Sequence, residues 1–373
     1  MNIYITKPGD TLSKIAAKTL GSASKWRLLA EVNRLANPNR LKVGQKLQIP
    51  AEPTEAPNVV NTSTGTHSAA TEEVRIANVG KTVYAIREND GQWTRVGKLY
   101  RKGLYRYGQH EPEQFIKNSG DLLAGLNLTK SEINVMLATS ENEGNLDAVN
   151  TYDNQFISFG MFQWTAGGAN KPGELATLLN RIKQQFPDDF AHYWGRFGLD
   201  VVNVGSKTGW ISLNGRTLKS AEQKSVLRDH IWAYRFAQAG MDEQVKAVEI
   251  AHAVGRLGQF YYTKTIKLEG YRLSDLITSE FGVALLLDNH VNRPGYVYSC
   301  IAKAIANSGM QPAELAQDND NDERKVIEEY LEVRKKYGKS PMTGAEHRGE
   351  VTHRYVLDGI ISDKRGSFKS NQG

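Results

Sequence analysis

The sequence predicts a multidomain α+β protein: a small βααβ module, a flexible linker, a short antiparallel β segment and an α-rich domain. Three observations carry this prediction. Residues 1–50 place two short strands around two amphipathic helical stretches, with Pro8-Gly9 and Val43-Gly44 as turns. Residues 51–75 are dominated by Pro, Ser, Thr and Ala, a composition that cannot build a core. From about residue 112, apolar residues recur at three- and four-residue spacing. The expected boundaries are therefore 1–50, 51–75, 76–110 and 111–373.

The chain has 373 residues, of which 40% are hydrophobic and 24% charged, enough to bury a large core. No run of about 18 apolar residues occurs, so no membrane span is expected. The first residues lack a basic region followed by an apolar stretch, so no secretory signal is read. Cys300 has no second cysteine to pair with, and its apolar surroundings suggest a buried thiol.

Charge is unevenly spread. Residues 1–50 hold 9 basic and 2 acidic residues, while the remainder is close to neutral. A basic patch on one small module points to a polyanionic partner met through it. Nucleic acid and a bacterial wall polymer both qualify on charge, and the sequence shows neither zinc-finger spacing nor an aromatic RNA-binding signature.

In the first module, a strand from Tyr4 meets the Pro8-Gly9 turn. Asp10 or Thr11 then caps a helix with Leu12, Ile15 and Ala16 on one face. Trp26, Leu28, Leu29 and Val32 mark a second helix, and Lys46–Ile49 a closing strand. Pro8-Gly9-Asp10-Thr11-Leu12, Asn37-Pro38-Asn39 and Val43-Gly44-Gln45-x-Leu47-x-Ile49-Pro50 together resemble a LysM module over residues 3–50. The resemblance implies binding of N-acetylglucosamine-containing glycans, with Gly9, Asp10, Thr11, Leu12, Asn37 and Pro38 in the groove loops.

Residues 80–108 alternate apolar and polar around Asn89-Asp90-Gly91, the pattern of antiparallel strands. Thr129 and Glu132 then form a capping-box signature, so a helix starts there. Ile133, Met136, Leu137 and Ser140 form its inward stripe, and Gly144 stops it. Glu141 and Glu143 fall at its end, on the margin of the buried stripe. Partial burial there favours a protonated carboxyl. Asp153 follows in a polar, turn-rich segment that favours an ionised one. Glycoside hydrolysis needs this contrast: one group protonates the leaving oxygen, and the other activates water or stabilises positive charge on the sugar.

Glu143-Gly144, Asp153, Ser158 and Gly160 resemble the layout of phage-type lysozymes, with Ser158 where Thr is usual. The offsets from Asp153 to Ser158, Gly160 and Met161 resemble those of chitosanases. Phe159-Gly160-Met161-Phe162-Gln163 resembles a segment beside the catalytic glutamate of lytic transglycosylases. The resemblance implies a lysozyme-like domain with Glu143 as acid, Asp153 as base or charge stabiliser and Ser158 as positioner of water or Asp153. The transglycosylase pattern points instead to Glu141, paired with Ala148.

Tyr152, Gln163 and Trp164 adjoin this motif and are expected to contact substrate. Asn289, His290 and Arg293 follow the apolar run 281–287 and could line a sugar groove or cap a helix. Asp318 to Glu329 superficially fits a calcium loop, but Glu323 stands where Gly is required, so an acidic helix start is expected. His347 and His353 lack zinc-motif spacing. Neither metal nor cofactor is expected.

The expected activity is cleavage of the β-1,4 bond between N-acetylmuramic acid and N-acetylglucosamine in peptidoglycan by a monomer. A chitosanase or chitinase, or a non-catalytic wall-binding or phage-tail structural protein, are the alternatives. Made in the cytoplasm without a signal, it would reach the periplasm or wall through a holin-made hole or a secretion machine.

Overall fold

The computed structural model describes residues 2–7, 10–20, 29, 32–33, 41, 44–49, 60–61, 74–87, 91–317, 320–339 and 341–371. The chain forms two compact units, Met1–Val59 and Val60–Gly373.

In the first unit, β1 (Asn2–Ile5) pairs antiparallel with β2 (Lys46–Ile49), in register from Asn2 with Ile49 to Ile5 with Lys46. Alternation along β2 buries Leu47 and Ile49 and exposes Lys46 and Gln48. Helix α1 (Leu12–Leu20) starts after Thr11, whose hydroxyl accepts from the Lys14 N–H at 3.2 Å. Leu12, Ile15, Ala16, Leu29, Leu47 and Ile49 form the core. Residues 29 and 32 are helical, and most of the expected second helix lies outside the described residues.

The second unit is organised around an antiparallel meander in chain order. It runs through β3 (Val60–Asn61), β4 (Val74–Val79), β5 (Thr82–Arg87), β6 (Trp93–Tyr100), β7 (Gly103–Arg106), β8 (Val149–Asn150), β9 (Ser158–Phe159) and β10 (Trp164–Thr165). The expected break near residue 110 is not a structural boundary. β7 pairs with β8 through Tyr105 with Asn150 and Arg106 with Val149, so one sheet joins residues 76–110 to the region beyond. Within the expected linker, Val60 and Asn61 pair with β4.

Helix α2 (Lys130–Ser140) interrupts the meander between β7 and β8. The Thr129 hydroxyl accepts from the Glu132 N–H at 3.0 Å, and Glu132 accepts from the Thr129 N–H at 2.8 Å. Further long helices are α3 (Leu175–Gln185), α4 (His230–Ala239), α5 (Glu243–Val254), α6 (Glu280–Asn292), α7 (Val297–Asn307), α8 (Asp320–Lys336) and α9 (Ala345–Leu357). Helix α6 packs against α2 and α9.

The structure differs from the sequence reading in three places. The pattern over 219–240 is broken by Asp229, which caps α4 by accepting from the Ile231 N–H at 3.1 Å. Helix α6 does not stop at residue 287 but continues through Asp288, Asn289 and His290: Arg334 and Arg348 pair with Asp288, Asn289 donates to Tyr330, and His290 stacks on Phe260. A three-stranded sheet, β11 (Leu199–Val202), β12 (Trp210–Leu213) and β13 (Arg216–Thr217), stands where the sequence predicts no strand. Beside it, Lys224 Nζ donates into the carbonyl oxygens of Ala166, Gly167, Gly168 and Lys171 at 2.7–3.0 Å, gathering the loop before α3. Among the described residues, no helix is long and apolar enough to cross a membrane.

Candidate functional site

Helix α2 ends at Ser140, and Glu141, Asn142 and Glu143 make the turn beyond it. The Gly144 N–H donates to the Met161 carbonyl at 3.0 Å, joining this turn to the β9–β10 hairpin. Glu143 pairs with Arg348 of α9, and the two side chains are 12% and 13% exposed. Arg348 Nε also donates to Asp288 Oδ1 at 2.8 Å, and Arg334 Nη1 lies 3.1 Å from Asp288 Oδ2. Arg348 Nη1 reaches the Asn142 carbonyl at 3.0 Å, so the turn is held by backbone as well as charge.

This corrects one expectation. Glu143 is half-buried as expected, but a guanidinium at contact distance favours an ionised carboxylate, not a stored proton. Burial alone would lower the Arg348 pKa; Asp288 and Glu143 facing it raise it instead. Glu141 is more open and bonds Arg354 at 3.0 Å and the Tyr355 hydroxyl at 3.1 Å.

Asp153 lies at the other end of the β8–β9 ladder. Gly160 pairs with Ala148 beside the Gly144 junction, whereas Asp153 is in the loop that follows Asn150 and Thr151. Asp153 Oδ1 accepts from the Gln155 N–H at 2.9 Å, and its carbonyl accepts from Arg228 at 2.5 Å. Glu143 and Asp153 therefore lie toward opposite ends of the short wing formed by β8 and β9.

The aromatic groups lie at the Asp153 end. Tyr152 packs edge-on to Tyr100 at 4.9 Å and tilts against Tyr105 at 6.4 Å. Tyr100 is 48% exposed and carries the Arg101 guanidinium 5.2 Å above its ring. Burial, then the Asp153 charge, pushes the Tyr152 phenol upward, so it stays neutral.

Six further expected site residues make structural contacts, and of these Arg293 takes the helix-cap alternative. Ser158 is buried and donates to Gln163 Oε1 at 3.0 Å, not to Asp153. Gln163 also accepts from Asn150 and donates to the Gly160 carbonyl at 2.8 Å, so its amide ties the hairpin together. Trp164 is 1% exposed and packs on Phe162 and His252, leaving no face for a sugar. Asn289 and His290 are buried inside α6: Asn289 donates to the Tyr330 hydroxyl at 2.7 Å, and His290 stacks on Phe260 at 4.2 Å. Arg293, the C-cap of α6, donates to the Tyr337 carbonyl at 2.7 Å and lies over Tyr296.

The structure also brings forward groups the sequence reading missed. Asp147 is fully buried and accepts from the Gln109 and His110 N–H groups at 2.7 and 2.8 Å and from Arg106. Burial pushes its pKa up, but His110, Arg106 and the two amides together hold it well below the usual carboxylate range. Glu174 pairs with Arg256 at 2.6 Å, yet burial still raises its pKa above the ordinary value. Glu249, buried in α5, accepts from the Met161 N–H at 3.3 Å. Nothing local in the sequence marks these three, because their partners come from distant segments.

In the first unit, Asp10 accepts from the Lys7 N–H at 2.7 Å and the Tyr4 hydroxyl at 3.1 Å, bracing the loop before α1. The Leu12 side chain is in the core, so any ligand contact from it goes through its backbone. Gly9, Asn37 and Pro38 lie outside the described residues. Asn33, not singled out in the sequence, exchanges hydrogen bonds with the Gln48 backbone at 2.6 and 2.9 Å and so holds β2.

Residues 4–50 match the LysM domain family, which supports a peptidoglycan-binding module. A 48-residue stretch, 13% of this chain, is 44% identical to an uncharacterized protein of Deinococcus radiodurans. That stretch spans 19% of the relative's length. No solved structure matches.

Proposed function

We propose that this chain binds peptidoglycan through residues 4–50 and cleaves its glycan strand with Glu143 as proton donor. The observation that carries the reading is the placement of Glu143. It stands at the end of a buried helix, part-exposed, held to the wing through Gly144 and to the core through Arg348. Bound glycan excludes water, which raises the cost of a charged carboxylate and favours proton uptake by Glu143. The proton passes to the glycosidic oxygen as the C1–O bond breaks. Water then adds at C1 and returns a proton to Glu143, which restores the starting state.

Asp153 is assigned here to sugar binding with Tyr100 and Tyr152, not to the bond-breaking step. If the muramyl 6-hydroxyl replaces water as the nucleophile, the same single group suffices and the product is an anhydro sugar. Product masses distinguish the two.

A second reading is a wall-binding protein without catalysis. The Glu143–Arg348 ion pair favours it, since a paired carboxylate does not hold a proton. Release of soluble fragments from purified peptidoglycan separates the readings. Wild type is expected to release them, and Glu143→Gln to fall by about a hundredfold or more. Equal release by both removes Glu143 from the chemistry. No release by wild type leaves wall binding alone.

A further inference from the structure

We infer that Glu249 is a positioning residue: it fixes the Gly160–Gln163 turn and, through that turn, the Glu143-Gly144 backbone. The inference rests on the role proposed above for Glu143.

A chain of contacts leads from one to the other. The Met161 N–H donates to Glu249 Oε2 at 3.3 Å. The carbonyl of the same Met161 accepts from the Gly144 N–H at 3.0 Å. Gly144 directly follows Glu143. The turn is built around the carboxyl. Gly160 has φ +78°, and a Cβ there would stand 2.4 Å from Glu249 Oε2 and 2.7 Å from Trp164 Cζ3. Only a residue without a Cβ lets the acid approach.

The setting argues against a packing role alone. Around Glu249, α5 buries Val245, Ala247, Val248, Ile250, Ala251, Ala253 and Val254. An acid among them is costly to bury, and its Oε1 has no hydrogen-bond partner among the described residues. Three and seven positions on, His252 and Arg256 face the same hairpin. His252 meets the Trp164 ring at 5.3 Å, and Arg256 lies 5.3 Å from the Phe162 ring. One side of α5 and its extension is thus polar toward the hairpin, where an apolar stripe would pack as well. Burial, with the Asp147 charge, pushes the Glu249 carboxyl up despite the Met161 amide and Lys246, which favours the neutral acid. A neutral acid accepts one amide without carrying charge toward Asp147.

The test compares Glu249→Leu, which keeps volume but removes the acceptor, with Glu249→Gln, the neutral isostere. Amide hydrogen exchange at Met161 and Gly144 is measured beside kcat and KM for glycan release, each per folded molecule. In Glu249→Leu, exchange at both amides is expected to rise, and kcat to fall about thirtyfold with KM within about threefold. Glu249→Gln is expected to keep about a third or more of kcat, with a pH–rate profile of wild-type shape. Gly160→Ala, which displaces the carboxyl without removing it, is expected to resemble Glu249→Leu and stands in if that variant does not fold. Unchanged Gly144 exchange, or equal kcat in the Leu and Gln variants, overturns the inference. If wild type releases nothing, the role of Glu143 fails, and the exchange data alone decide whether Glu249 holds the turn.

Discussion

The two ends of the β wing are built differently. At the Glu143 end, buried charges from α6, α8 and α9 converge beside the Glu249 carboxyl of α5, and each is tied to a partner on another segment. At the Asp153 end, half-open tyrosines lie over a loop whose acid bonds its own backbone. The first arrangement fixes one geometry, because a buried charge tolerates little displacement. The second leaves aromatic faces free to meet a ligand. In the proposed activity, chemistry belongs to the first end and sugar contact to the second.

The comparison is broken most directly at Asp288. Asp288→Ala leaves the Arg334 and Arg348 guanidinium groups facing each other without their shared acid. A loss of about 3–5 kcal/mol in urea unfolding is expected. A loss under about 1 kcal/mol would mean the network does not hold this end.

Next in size is acid sensitivity. Burial first, then Arg181 and Arg256, drives the His252 imidazole down to about 3. Burial, Arg256 and Lys207 do the same to His290. The unfolded chain takes up protons near the ordinary 6.5, which the folded chain refuses. Stability from these groups is complete above 6.5 and lost as pH falls toward 3, and Tm should follow. His290→Gln is expected to flatten that decline; an unchanged slope would show that His290 is not held neutral.

The smallest effects are expected at the other end. Tyr100→Ala should raise KM by about three- to tenfold and leave kcat within about twofold. Asp153→Asn should likewise act on KM. If Asp153→Asn abolishes release as fully as Glu143→Gln, the two ends share the chemistry and the division drawn here is wrong.

Legibility in the sequence followed the reach of each interaction. The start of α2 was readable because Thr129 and Glu132 cap it within four residues. The β5–β7 strands were readable from alternation, and the N-terminal module from a dense set of turn and core residues. The interior of α6 was not readable. Asp288 looks like a helix stop until Arg334 and Arg348, 46 and 60 residues away, close on it. Tyr152 was named, but its neighbour Tyr100 comes from an earlier hairpin. Glu249 meets its Met161 partner across 88 residues, and no local pattern announces such a pair.

The continuous sheet from β3 to β10 has a practical consequence for dissecting this chain. Cutting near residue 110, where the composition invites it, would strip β7 from β8 and bare a row of unsatisfied amides and carbonyls on each fragment. Such raw edges recruit other strands, and both pieces would be prone to aggregate. A cut between residues 50 and 60 spares every rung of that ladder.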